Sequence, residues 1–104
     1  MRFLIRAMMT TERGTAAITS GRLGPTVQAI LEEQQPEAIY FTAEGGYRTA
    51  YFVIDIPSSS DLPRIAEPWF LAFDATVEFF PVMSPEDLAK AGPAIGAAVQ
   101  KYTQ

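Results

Sequence analysis

The chain has 104 residues, 48% of them hydrophobic, which is enough for one domain spanning residues 1–104 with a single core. It holds no cysteine and no histidine, which excludes disulfides, thiolate metal sites, histidine-ligated zinc, iron or haem, and every nucleophile–histidine catalytic pair. The net charge is −4, and the basic residues Arg2, Arg6, Arg13, Arg22, Arg48, Arg64, Lys90 and Lys101 are scattered, so no cationic stripe is offered to nucleic acid or to an anionic membrane surface.

Phe3, Ile5, Ala7 and Met9 alternate with Arg2, Leu4, Arg6 and Met8, the pattern of a strand with one apolar face. Arg6 interrupts the apolar run at the start, which is too short for a secretory or membrane-spanning segment, and a cytoplasmic protein is expected. Thr10-Thr11-Glu12 offers capping chemistry, and the stretch to Arg22 reads as helical or irregular. Gly24-Pro25 opens a clearer helix with an apolar stripe of Val27, Ile30 and Leu31, which Pro36 stops.

Residues 37–44 and 47–56 are rich in strand formers, and Gly45-Gly46 joins them. Two glycines between such runs predict a tight hairpin, because both turn positions require positive φ. That loop pairs Glu44 with Tyr47, Thr42 with Thr49, Tyr40 with Tyr51 and Ile39 with Phe52. After the loop Pro57 to Asp61, Leu62, Ile65, Ala66, Trp69 and Phe70 recur at helical spacing, with a kink or stop expected near Glu67, because Pro68 follows, before one further turn. Ala75 to Val82 is a fourth strand, and Pro81 assigns it to an edge or to its own last residues. Ser84-Pro85-Glu86-Asp87 starts a helix, and Gly92-Pro93 divides the remainder into two, with Leu88, Ile95, Val99 and Tyr102 as the apolar face.

The resulting order predicts an α+β, ferredoxin-like βαββαβ fold: a four-stranded antiparallel sheet with a C-terminal helical tail. One sheet face, with Phe3, Ile5, Ala7, Ile39, Phe41, Ala50, Phe52, Ile54, Ala75, Val77 and Phe79, is apolar throughout and is assigned to the helices. The other carries Leu4, Arg6, Met8, Tyr40, Thr42, Glu44, Thr49, Tyr51, Val53, Thr76, Glu78 and Phe80. It is too aromatic to be left to water and too polar for an ordinary core, which marks an interaction surface; a second copy is the simplest cover, the alternative being a plain solvated sheet with a few exposed aromatics.

Tyr40 to Ile56, and Pro68-Trp69-Phe70-Leu71 running into Val77-Glu78-Phe79-Phe80-Pro81, resemble the dimeric α/β-barrel superfamily in its muconolactone isomerase shape. The ending Val77-Glu78-Phe79, Pro81-Val82-Met83 and Pro85-Glu86-Asp87-Leu88 is also similar to small uncharacterised bacterial domains. The resemblance implies sheet-to-sheet homodimers around a cavity. It does not choose among isomerases, cyclases, cofactor-free monooxygenases and non-catalytic binders. None of their catalytic motifs transfers residue by residue.

The candidate site is therefore the mixed face: Arg6, Tyr40, Thr49, Tyr51 and Glu78. Arg6 and Glu78 are expected on neighbouring strands. They form either a pocket, with Arg6 binding a carboxylate or enolate, Glu78 as acid or base and the tyrosines clamping a flat ligand, or an interface ion pair. Gly21 to Thr26 lacks a P-loop lysine, and no acidic loop has calcium spacing, so no metal or cofactor is expected. The leading expectation is a homodimer binding a small hydrophobic or aromatic ligand; the alternative is a cofactor-independent isomerase, cyclase or monooxygenase.

Overall fold

The computed structural model describes all 104 residues. Its elements run β1 (Arg2–Met8), α1 (Thr11–Thr19), α2 (Leu23–Gln34), β2 (Ala38–Glu44), β3 (Tyr47–Asp55), a short 3₁₀ turn (Ser59–Asp61), α3 (Leu62–Phe73), β4 (Thr76–Pro81), α4 (Pro85–Lys90) and α5 (Gly92–Tyr102). The four strands form one antiparallel sheet in the order β2-β3-β1-β4. This is an α+β arrangement compatible with a ferredoxin-like fold.

The hairpin turn sets the register of β2 on β3. Gly45 and Gly46 have φ of 58° and 85°, the two positive values of a type I′ turn, whose twist matches that of the flanking strands. Glu44 then pairs with Tyr47, Thr42 with Thr49, Tyr40 with Tyr51 and Ile39 with Phe52, the pairs the two-glycine loop predicts. Strand β4 lies at the opposite edge and ends on Pro81, where the missing N–H interrupts no ladder.

Helices α1, α2 and α3 cover one face. Helix α1 starts where the Thr10 hydroxyl accepts the Arg13 N–H at 3.2 Å, and the Arg13 guanidinium donates to the Leu71 and Ala72 carbonyls at the end of α3. That places a cation on the negative end of α3 and ties the two helices. Helix α2 is stopped by Gln35, at φ 50°, and by Pro36. The buried Gln34 amide donates to the Ile65 carbonyl at 2.9 Å, joining α2 to α3.

The core lies between this helical layer and the sheet. Ile5, Ala7, Ala50, Phe52 and Ile54 of the sheet meet Val27, Ile30, Ile65, Trp69 and Phe73 of the helices. Trp69 is fully buried, stacked on Phe52 at 5.5 Å between centroids and tilted against Phe73 at 6.0 Å. A core position for Trp69 follows.

The course of α3 and the placement of Phe41 bear on the sequence expectation in different ways. Helix α3 runs on past Pro68 to Phe73, a little over the one further turn that the sequence expects after the proline. Proline removes one N–H bond, but Ile65, Ala66, Trp69 and Phe73 keep a single buried stripe that spans the break, and tertiary burial outweighs the local penalty. Phe41, assigned to the helix-covered face, is 58% exposed, because α2 stands off from the outer part of β2.

The last two helices leave the body. The Ser84 hydroxyl and the Asp87 carboxylate form a reciprocal capping box that starts α4. Helix α5 buries none of its residues, and Ile95, Val99 and Tyr102 line an exposed apolar stripe at helical spacing. The radius of gyration is 17.6 Å and the long dimension 61 Å. A globular chain of this length has a radius near ~13 Å. The excess is the projecting arm.

Candidate functional site

Strand alternation puts Arg6, Tyr40, Thr49, Tyr51 and Glu78 at positions of one parity in the register: Arg6 stands opposite Tyr51 on one side and Glu78 on the other, and Tyr51 stands opposite Tyr40. The Arg6 guanidinium donates from Nη2 to Glu78 Oε1 at 2.6 Å and from Nη1 to Glu44 Oε2 at 2.5 Å. The Tyr51 hydroxyl donates to the other oxygen of Glu44. The Phe80 ring lies 5.7 Å below the guanidinium carbon. Four strands thus contribute to one polar cluster in the middle of an open face: Arg6 from β1, Glu44 from β2, Tyr51 from β3 and Glu78 from β4.

Its charges follow from those contacts. The two carboxylates hold the Arg6 pKa above its ordinary value, chiefly through the hydrogen bond to Glu78 and then, against desolvation, through the field of Glu44. Arg6 Nε is buried and makes no hydrogen bond. One guanidinium against two carboxylates leaves the cluster net negative, and both terminal nitrogens are already engaged. An incoming anion would have to displace one of the chain's own carboxylates.

The remaining candidates divide. Tyr40 is 72% exposed and takes no part in the cluster. Thr49 is buried, and its hydroxyl donates to the Tyr47 carbonyl at 2.8 Å, an arrangement that shapes the strand next to the turn. Glu44, which the sequence places on this face but not among the site residues, is the member that joins Arg6 to Tyr51. Its signal was available in the hairpin register, which puts Glu44 at the end of the face that Thr42 and Tyr40 share. Around the cluster, Leu4, Met8 and Val53 are half-buried and Phe80 is exposed, so apolar side chains border it on a face that also carries Thr42, Thr49 and Thr76.

The residues come together in no group of three or more carboxylates suited to a metal ion. No helix is long and apolar enough to cross a membrane. No protein-family model matches the chain, and no curated protein matches its sequence.

Proposed function

We propose that the chain is a homodimeric small-molecule binding module of the dimeric α/β-barrel kind, two copies pairing through their open sheet faces and holding a flat, hydrophobic or aromatic ligand between them. The supporting observation is the uncovered face itself. Leu4, Tyr40, Val53 and Phe80 surround a polar cluster that the chain has already neutralised to within one charge, and no helix of the same chain packs over them. A net negative centre favours a neutral ligand over an anion, so recognition comes from the rings of Tyr40 and Tyr51 and from acceptor oxygens of Glu44 and Glu78. Binding is preferred to catalysis because both carboxylates near Arg6 are tied to it, which leaves no free base at the centre of the face.

Size-exclusion chromatography with light scattering tests the pairing. A mass of two chains is expected at micromolar concentration, and Tyr40→Asp, which puts a charge on the exposed part of the face, is expected to give one. A parent chain that runs as a monomer overturns the proposal. Titration with 1-naphthol, followed through the tyrosine resonances, tests the ligand: shifts confined to Tyr40 and Tyr51 support it, and an unresponsive face counts against it.

A further inference from the structure

A concavity of about 420 Å³ lies on the other side of the sheet, between α2 and the outer part of β2 and β3. That is within the range of small-molecule sites. Leu23, Val27 and Leu31, spaced four residues apart on α2, form one wall, and Met9 and Phe41 form the floor. The exposure of Phe41 is thereby explained: its ring lines an open cleft instead of packing under a helix.

Arg48 also lines this cleft. It stands opposite Ala43 in the register, on the same sheet face as Phe41. It is half-buried yet forms no salt bridge, and its one side-chain hydrogen bond goes to the Thr15 hydroxyl at 3.2 Å. Each of the other arginines on the strands is paired with a carboxylate: Arg2 with Glu37, and Arg6 with Glu44 and Glu78. The guanidinium of Arg48 is also held in place. It packs on Gly14 of α1, where an added Cβ would lie 2.9 Å from Nη1 and 3.2 Å from Cδ. A positioned guanidinium without a carboxylate, beside an apolar cleft, is complementary to an anionic head on an apolar tail.

We propose that this cleft binds a small amphipathic monocarboxylate, its tail against Val27, Leu31 and Phe41 and its carboxylate on Arg48. The site is independent of the sheet-face pairing and stands if that pairing fails. Isothermal titration of the whole chain with octanoate and with octan-1-ol tests it. Octanoate is expected to bind once per chain and more tightly than octanol. Arg48→Gln should weaken octanoate about tenfold, the loss of one charge-assisted contact, and leave octanol unchanged. Gly14→Ala gives a second test that favours folding, since alanine is the better helix residue; its Cβ must push the guanidinium aside, and octanoate alone should weaken. Leu23→Trp, at the half-buried end of the apolar wall, should weaken both ligands alike. Equal affinity for the acid and the alcohol in the parent, equal losses for both in Arg48→Gln, or no octanoate bound at about 1 mM overturns the proposal.

Discussion

Arg6 and Glu44 bond to one another across a strand that lies between them. Strand β3 separates β1 from β2, and the 2.5 Å contact reaches over it, with Tyr51 of β3 bonding the same carboxylate. The cluster is therefore a tie across the sheet as well as a candidate recognition feature.

Its asymmetry gives a ranking. Arg6→Met leaves two carboxylates on a half-buried face with no cation, whereas Glu44→Gln or Glu78→Gln leaves an arginine that keeps one partner. The arginine variant should lower the melting temperature more than either glutamine variant, and the loss in Glu44→Gln/Glu78→Gln should differ from the sum of the singles. Additive losses in thermal melts would show that the four groups act separately.

Truncating Trp69 to Ala should cost about 3–5 kcal/mol, because a fully buried indole leaves a large cavity under Phe52 and Phe73. That is a large share of a small domain's stability. Trp69→Phe should cost less than half as much, since it keeps an aromatic ring on Phe52 and removes an indole N–H that has no partner. Urea denaturation with far-ultraviolet circular dichroism measures both.

At the hairpin, Gly46→Val should destabilise by roughly 1–2 kcal/mol, because a β-branched residue is forced to φ 85°. Gly45→Asn should be close to neutral, as asparagine suits the first position of a type I′ turn. Equal effects at the two positions in thermal melts would contradict the turn assignment.

The start of α4 should respond to acid. The Asp87 carboxyl is held below its ordinary pKa by hydrogen bonds from the Ser84 backbone and then its side chain. A depressed folded-state value means that the stabilisation is complete above the unfolded value of ~3.9 and is lost as pH falls through the lower folded one. Amide exchange at Leu88 to Lys90 should accelerate below that range, and Asp87→Asn should flatten the dependence.

Helix α5 should exchange its amides far faster than the sheet. Its amides are protected by the helix's own hydrogen bonds alone, with no tertiary burial behind them. Deleting residues 92–104 should leave the melting temperature of the body unchanged; a fall of several degrees would show that the arm packs back on it.

The sheet was legible because its signals are local and mutually consistent. Gly45-Gly46 determines the pairing of Tyr40 with Tyr51, and the period-two pattern of residues 3–9 assigns Ile5 and Ala7 to the core. What holds α3 together across Pro68 was not, since burial of Trp69 and Phe73 on one stripe is a tertiary effect that no local rule carries. Glu44 was seen as a face residue but not as the partner of Arg6, because the contact spans a strand and depends on side-chain length. The Arg48 cleft lay outside sequence reasoning altogether. It exists because α2 stands away from Phe41, a spacing set by how three helices share one sheet.

The projecting α5 gives the molecule a long axis unlike its other two. Rotational diffusion will accordingly be anisotropic, so that 15N relaxation rates in the sheet depend on the angle between each N–H vector and that axis. An isotropic fit to those rates would register the departure as apparent exchange broadening where there is only shape.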